Sequence, residues 1–390
     1  MNRRTYALFL ACALVTGGLR AAPISPIELC ATAPPPTAAP AAATPAVAPA
    51  GRSIEVCFVL DTTGSMGGLI DGAKRKIWSI ANSIVAAEKG AHVRFALVPY
   101  RDRGDEYITK VFDLTDDLDD VFSKLQSFQA GGGGDGPESV NQALDDAVSR
   151  VKWSPSPDVV KLVFLVGDAP PHMDYSDDVK YPDTCQTAMK KGLIINTVQC
   201  GAMGGTREVW EQIAKLGEGS FVALEQSGGM VTIEAPQDRE IAELSNKIAA
   251  LSMPYGSPKQ QAEVAAKNGA AAAAPASVAA DRASFNATEG RAIQGRGDLV
   301  TDLRDKAVNL EDLKKEELPK DIQELPREQQ LEKIAKVSAE REELAKKVSD
   351  LARQRQAFLD DEAKKQSAGK GDAFDAKVTD LVKQELQRKQ

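Results

Sequence analysis

Short apolar runs alternate with amphipathic helical patterns along residues 52–253, and this alternation limits the fold more than any other feature of the sequence. The apolar, β-branched runs that predict strands lie at 54–60, 92–99, 108–114, 160–166, 193–200 and 220–224. The helical patterns lie at 68–88, 117–128, 137–151, 178–191, 207–216 and 238–251. Most predicted strands are apolar on both faces, so helices should cover both sides of the sheet. We therefore predict an α/β fold with a doubly wound, mostly parallel, six-stranded sheet.

Two details of this block carry specific expectations. The run at 108–114 follows the preceding strand too closely for a helical crossover, so it is predicted as an antiparallel edge strand. The third helix is predicted to begin at Pro137, because proline suits the first turn of a helix. An apolar stripe then runs along that helix from Val140 to Val151.

The segments that flank the block differ from it in composition. Residues 1–22 combine Arg3 and Arg4 with an apolar stretch and small residues, which is the plan of a secretory signal peptide. Residues 23–51 are rich in Pro and Ala and are predicted as a linker, and the Ala-rich residues 254–280 as a second linker. Beyond the leader, no segment of the sequence is apolar enough to span a bilayer. We expect an exported protein, periplasmic or secreted.

Residues 281–390 are rich in Glu, Lys, Gln and Ala and are predicted to be helical. Apolar residues recur in heptads between 330 and 365, but two seam positions hold Arg341 and Arg355, which weakens the coiled-coil pattern. One interpretation is a helical hairpin or stalk, and the other is a coiled coil that binds a partner or self-associates.

The net charge and the cysteine content argue against some classes of function. The net charge of −8, without a Lys/Arg cluster, argues against a general nucleic-acid-binding protein. The cysteines show no metal-type spacing. In an exported protein, Cys185 and Cys200 are candidates for a disulfide, although the sequence does not give the distance between them.

Oxygen-bearing side chains follow the predicted strands at the edge where open α/β sheets bind ligands. Asp61, Thr63 and Ser65 come directly after the first strand, and Asp168 ends the fourth. Between them, the Gly-rich segment "GGGGDGPES" carries Asp135. A divalent ion such as Mg²⁺ takes about six oxygen ligands, which carboxylates and hydroxyls supply. The alternative is that these residues only cap the helices that follow them.

These motifs resemble those of a known family. Residues 52–253, with "DTTGS", the Gly-rich loop and "LVGD", are similar to a von Willebrand factor type A domain with a metal-ion-dependent adhesion site. The resemblance implies the strand order 3-2-1-4-5-6 and a divalent ion, usually Mg²⁺, held by Asp61, Thr63, Ser65 and Asp168. It also implies binding to other proteins, often through an acidic residue of the partner that completes the coordination of the ion.

The middle loop departs from the family pattern. Many members have a Thr there, whereas residues 131–139 contain none. Asp135 is the best substitute, and Glu138 aligns about as well if the loop carries an insertion. If Asp61, Asp168 and Asp135 all coordinate a dication, the site is negative and attracts a partner's carboxylate less. If one of these acids lies behind a water, the ion stays electrophilic, and the sequence leaves both arrangements open.

Two further segments are predicted beside the site, where they form a rim. Tyr100, Arg101 and Asp102 follow the second strand, which should lie beside the first. His172 lies in the segment 170–178, which follows Asp168. These residues either contact a ligand or form ordinary solvated loops.

The sequence therefore favours an exported protein-binding module, for adhesion or assembly, that recognises a partner through Mg²⁺ or another dication such as Ca²⁺ or Mn²⁺. One alternative is a structural envelope protein that oligomerises through its helical tail. Another is a metal-dependent phosphohydrolase, because Asp61 resembles the nucleophile of the haloacid dehalogenase superfamily. That motif needs a second Asp where Thr63 stands, and no nucleophile–base pair has recognisable spacing. We therefore expect no enzymatic activity.

Overall fold

The structure is a computed structural model that describes residues 52–88, 90–134, 136–229, 233–366 and 374–388. The predicted leader at 1–22, the predicted linker at 23–51 and Asp135 lie outside the described residues. Within the described ranges, no helix is both long enough and apolar enough to cross a membrane.

Six strands form one sheet, as the alternating pattern predicts. They are β1 (Ser53–Asp61), β2 (His92–Tyr100), β3 (Phe112–Thr115), β4 (Val160–Gly167), β5 (Leu193–Cys200) and β6 (Glu218–Leu224). The order is β3-β2-β1-β4-β5-β6. β3 pairs antiparallel with β2, and the other pairs are parallel. The predicted α/β fold, the antiparallel edge strand and the strand order implied by the resemblance are all confirmed.

Helices cover both faces of the sheet. The α-helices of the described residues are α1 (Gly67–Ala87), α2 (Leu118–Ser127), α3 (Val140–Ser149), α4 (Tyr181–Lys190), α5 (Thr206–Leu216), α6 (Asp238–Ala250), α7 (Pro258–Ala273), α8 (Ala276–Glu289), α9 (Leu299–Arg304), α10 (Arg327–Gln366) and α11 (Phe374–Arg388). α1 and α2 pack on one face, and α3, α4 and α5 pack on the other. β1 and β4 are buried along almost their whole length between these two layers.

α3 begins at Val140, three residues after the predicted start at Pro137. The residues before it pair with the loop that follows β4: the N–H of Glu138 donates to the Pro170 carbonyl at 2.9 Å, and the N–H of His172 donates to the Glu138 carbonyl at 3.0 Å. Glu138 therefore forms an isolated parallel β-bridge with Pro171 and does not join the helix. This pairing brings Glu138 to the end of β4.

The segment 254–280 is helical, and the linker predicted from its composition is wrong. α7 and the beginning of α8 occupy it. Ser257 caps α7, because its hydroxyl accepts from the N–H of Gln260 while the Gln260 side chain accepts from the N–H of Ser257. Ala has the highest helix propensity of all residues, so an Ala-rich segment with a start signal and a surface to pack on becomes a helix.

α10 and α11 confirm the helical prediction for the tail. The heptad seam of α10 packs against other parts of this chain. α10 packs on α6 and α8. Arg341 pairs with Asp298, and Arg355 pairs with both Asp238 and Asp281, all of them buried or nearly so. The two seam arginines that weaken the coiled-coil pattern are thus buried ion-pair partners inside this chain. Self-association through the tail stays a prediction.

The cysteines Cys57, Cys185 and Cys200 are free thiols, so the candidate disulfide between Cys185 and Cys200 is wrong. Cys185 on α4 belongs to the core that α3, α4 and α5 form with the sheet. Cys200 at the end of β5 belongs to the core on the opposite face. Because the sheet separates these two cores, the thiols cannot meet.

Candidate metal centre

Asp61 ends β1 and is fully buried at the carboxyl edge of the sheet. Its Oδ1 accepts hydrogen bonds from the N–H of Thr63 at 2.9 Å and from the Thr63 hydroxyl at 2.6 Å. The Thr63 hydroxyl lies 3.3 Å from that of Ser65, which is exposed. Neither the 3-10 turn Gly64–Met66 nor α1 has a side-chain cap, so these residues form a turn around Asp61 and do not cap the helix.

The Gly-rich loop packs directly on this turn. The N–H of Gly131 donates to the Thr62 carbonyl at 3.1 Å, and the N–H of Gly64 donates to the Gly132 carbonyl at 3.2 Å. Gly133 has a φ of +75°, and a Cβ at Gly133 would lie 3.0 Å from Glu138 Oε1 and 3.2 Å from Thr63 Cβ. The glycine thus lets the backbone approach both side chains closely.

Glu138, one of the two candidate acids of the middle loop, lies near Thr63 and the carboxylate of Asp61. It is only 4% exposed, and its Oε2 has no hydrogen-bond partner within the described part of the chain. Burial, together with the nearby carboxylates of Asp61 and Asp102, raises the pKa of Glu138 to about 9. Glu138 therefore lies among the other acids of the site. Asp135, the other alternative for this loop, stays a prediction.

Asp168 follows β4 and is buried beside the same turn. Its Oδ2 accepts a hydrogen bond from Gln226 Nε2 at 2.6 Å, and its carbonyl accepts one from the Thr206 hydroxyl at 3.1 Å. Burial raises the pKa of Asp61 to about 7 against the hydrogen bonds from Thr63, and the charge of Asp168 adds to the rise. The two carboxylates are therefore close enough to repel each other.

Tyr100, predicted at the rim of the site, lies fully buried beneath it. Tyr100 pairs with Asp61 in the β1–β2 register. Its hydroxyl has no hydrogen-bond partner among the described residues, and burial raises its pKa well above the usual value. A Cβ at Gly167 would lie 2.4 Å from this hydroxyl and 3.0 Å from Asp61 Oδ2, so both oxygens approach the same point.

The other predicted rim residues are held in contacts within the chain. Arg101 is buried and donates to the carbonyls of Thr62 at 3.2 Å and Gln129 at 2.7 Å. Asp102 is buried and accepts from the Ser139 hydroxyl at 2.8 Å. These residues therefore fix the loops that surround the site and offer little of their own surface to a ligand.

His172 joins two loops of the rim. Its ring stacks on that of Tyr175 with the centroids 4.0 Å apart, and its Nε2 lies 3.4 Å from Asp102 Oδ2. The Arg103 guanidinium also lies over the Tyr175 ring, 4.0 Å from its centroid, and Arg103 pairs with Asp178. This stack ties the loop after β2 to the loop after β4.

Comparison with known proteins identifies the part of the chain that carries this site. Residues 55–233 match the family model of the von Willebrand factor A domain. This part of the chain is a von Willebrand factor A domain. The match includes Asp61, Thr63, Ser65, Glu138 and Asp168.

Individual relatives match only part of this chain. Von Willebrand factor A domain-containing protein 7 of Rattus norvegicus is 43% identical over 94 residues, which are 23% of this chain and 10% of the relative. A putative ariadne-like RING finger protein of Acanthamoeba polyphaga mimivirus is 28% identical over 119 residues, 30% of this chain and 11% of the relative. The chain thus spans about a tenth of the length of these curated relatives. Among solved structures, proximal thread matrix protein 1 from the mussel byssus, with a zinc-occupied MIDAS motif, is 20% identical with a TM-score of 0.35 and covers 46% of this chain and 43% of that one.

The donor set of this von Willebrand factor A domain fits a hard divalent cation. Among the described residues, no group of three or more His, Cys, Asp or Glu side chains is arranged to hold a metal ion. The predicted set, however, combines carboxylates with the hydroxyls of Thr63 and Ser65. Asp61 Oδ2 and Glu138 Oε2 are both buried and without a partner in the described ranges. Such atoms are costly in a folded protein, and coordination to a cation would satisfy them.

Sequence reasoning missed several residues that shape the site. Gln226 lies two residues after β6 and holds Asp168, and Ser139 holds Asp102. Asp105 accepts from the N–H of Gly133 at 2.9 Å and so fixes the Gly-rich loop. The position of Gln226 just after a strand at the carboxyl edge is a weak signal, whereas nothing in the local sequence around Ser139 or Asp105 indicates these contacts.

Proposed function

We propose that the protein is an exported, metal-dependent protein-binding module whose cation site lies at the carboxyl edge of its von Willebrand factor A domain. The observation that carries the proposal is the pair of buried oxygens, Asp61 Oδ2 and Glu138 Oε2, that lack a partner among the described residues. Leaving a buried polar group unsatisfied costs about 1–3 kcal/mol, and more for a charged one. Von Willebrand factor A domains commonly bind a divalent cation at such a site.

Asp61, Thr63, Ser65 and Glu138 would hold the ion, with Asp168 beside them. Because all of these donors are oxygens, the ion is expected to be Mg²⁺, with Ca²⁺ and Mn²⁺ as alternatives. Asp135 remains a predicted donor outside the described residues. When bound, the ion supplies a positive centre for an oxygen of the partner protein.

The protein's own residues prepare this site. The two hydrogen bonds from Thr63 hold Asp61 Oδ1, which leaves Oδ2 as the oxygen for an ion. Gly133 keeps side chains out of the space between Thr63 and Glu138. Tyr100 fills the space beneath Asp61 with a buried ring.

Partner contacts are proposed on the loops that leave the same edge of the sheet. Met173, after β4, is 50% exposed, and Met203, after β5, is 43% exposed. Methionine adapts its shape to different surfaces, which suits a protein-binding rim. The stack of His172, Tyr175 and Arg103 keeps this rim in one arrangement, so less ordering is needed when a partner binds.

Binding without catalysis is the role we propose. The chain contains two histidines. His92 begins β2 at the opposite edge of the sheet, and His172 lies 2.8 Å from Asp174 on the rim. A phosphohydrolase of the haloacid dehalogenase type needs an acid where Thr63 stands. Export is proposed from the leader-like residues 1–22.

The test is a pull-down from cell-envelope extract in Mg²⁺ and in chelator, with the wild type, Asp61→Ala and the control Asp71→Ala. Asp71 is an exposed acid on α1, so its loss should leave the site intact. We expect a partner that the wild type and Asp71→Ala retain in Mg²⁺ only, and that Asp61→Ala does not retain. A partner held equally in chelator, or by Asp61→Ala, would contradict a metal-bridged mechanism.

A further inference from the structure

Gln226 reaches the candidate metal site from a loop that the metal motif does not include. It lies two residues after the end of β6. Its Nε2 donates to Asp168 Oδ2 at 2.6 Å and lies 3.3 Å from the carbonyl oxygen of Ser65 and 3.8 Å from the sulfur of Met66. One side-chain amide thus connects the loop after β6 with the turn after β1 and the end of β4.

The backbone beneath Gln226 is shaped to admit it. Gly201 follows β5 with a φ of +74°, and a Cβ there would lie 2.0 Å from Gln226 Oε1. Any other residue at position 201 would therefore displace the amide. Gln226 is an exposed residue, so its contact with Asp168 is not a by-product of core packing.

The hydrogen bond divides the two oxygens of Asp168 between different tasks. Oδ2 is occupied by the Gln226 amide, which leaves Oδ1 as the oxygen available to an ion or to its water. A hydrogen bond to an ionised carboxylate is short and strong, and it fixes the orientation of the carboxylate. Asp61 shows the same division, because Thr63 occupies its Oδ1 and leaves Oδ2.

We propose that Gln226 is a positioning residue of the cation site, which orients Asp168 through Oδ2 and so sets the affinity of the site for the ion. This inference rests on the proposed function, because it presumes that the site binds a divalent cation. Groups that orient metal ligands from outside typically contribute a factor of about 10–100 to metal affinity. A neutral amide serves this purpose well, because a carboxylate at position 226 would repel Asp168 and a cation there would compete with the metal.

Calorimetric titration of the full chain with MgCl2 tests the proposal. The variants are Gln226→Met, which keeps the side-chain length and removes the donor, and Gln126→Met, the same change at an exposed position of α2. We expect Gln226→Met to raise the Mg²⁺ dissociation constant about 10–100-fold. Gln126→Met should match the wild type. Thermal unfolding in EDTA should be the same for all three proteins, because the role of Gln226 concerns the ion.

The possible results separate this inference from the proposed function. If the wild type binds Mg²⁺ and Asp61→Ala does not, but Gln226→Met binds as tightly as the wild type, the positioning role is overturned and the metal site stands. If Gln226→Met also lowers the unfolding temperature in EDTA, Gln226 is structural and the inference is wrong. If the wild type does not bind Mg²⁺, both the proposed function and the inference fail.

Discussion

Gly167 is the point where β4 comes closest to the buried side chains of the site. A Cβ there would lie 2.4 Å from the Tyr100 hydroxyl and 3.0 Å from Asp61 Oδ2. Real Cβ atoms do not approach other atoms this closely, so an added methyl group must displace one or both side chains. The absence of a side chain at position 167 therefore preserves the position of Asp61.

Gly167→Ala is expected to destabilise the protein by about 1–3 kcal/mol, the usual cost of overpacking, and to weaken Mg²⁺ binding. Urea unfolding and calorimetry measure the two effects. The control is Gly204→Ala, where a Cβ would meet nothing within 4 Å, and which should change neither quantity. If the two variants behave alike, Tyr100 and Asp61 can move without loss of stability or of Mg²⁺ binding.

Individual site residues differ in how well the sequence predicts them. Asp61 and Asp168 are predictable because each directly follows an apolar strand, and parallel strands bring their carboxyl ends to one edge. The choice between Asp135 and Glu138 depends on how the Gly-rich segment is routed, which the sequence does not encode locally. The burial of Tyr100 and the contact of Gln226 with Asp168 depend on packing between distant segments.

At the scale of elements, strand and helix patterns within the sheet are predictable because their period follows directly from burial on one or two faces. The Ala-rich α7 is not, because the same composition suits a flexible linker and a packed helix. α10 illustrates a second limit. Arg341 and Arg355 look unfavourable in a heptad seam until the structure shows the acids that they meet.

Arg341 is the main polar contact between α10 and the segment that precedes α9. It donates to both oxygens of Asp298, at 2.6 and 2.9 Å. Arg341→Met should cost about 3–5 kcal/mol of stability, because it leaves Asp298 buried without its cation. Arg353→Met, at an exposed position of α10 paired with Asp350, should cost no more than about 1 kcal/mol. Denaturant unfolding compares them, and similar losses would mean that α10 is not docked through Arg341.

The same pair predicts a dependence on pH. Burial alone would raise the pKa of Asp298, but the hydrogen bonds and charge of Arg341 outweigh it and hold the pKa below its usual value. Because the folded-state pKa is lower than the unfolded value of about 3.9, the stabilisation is complete above that pH and is lost as the pH falls through the folded pKa. The difference in unfolding free energy between the wild type and Asp298→Asn should therefore shrink from pH 6 to pH 3. A free-energy difference that stays constant from pH 6 to pH 3 would contradict the lowered pKa of Asp298.

At the scale of the whole molecule, the C-terminal helices complete the cover of the sheet. Trp78 of α1 packs edge-on against Phe285 of α8, and Arg282 of α8 pairs with Asp119 of α2 inside the core. Arg52 and Leu386 are 334 positions apart, and Arg52 Nη1 donates to the Leu386 carbonyl at 2.8 Å. Residues from the far end of the chain therefore complete the cover of the sheet face on which α1 packs.

α11 supplies the last part of this cover, and a substitution in it tests whether the sheet depends on the tail. Val378, Leu381, Val382 and Leu386 are all buried in the core that contains α1 and the central strands. Leu381→Ala should cost about 2–5 kcal/mol, the usual range for a buried leucine, and should lower the unfolding midpoint of the whole sheet in one transition. Lys383→Ala, on the exposed side of the same helix, should leave the midpoint unchanged. If near-ultraviolet circular dichroism and denaturant curves show the two variants to be alike, the von Willebrand factor A domain is stable without α11.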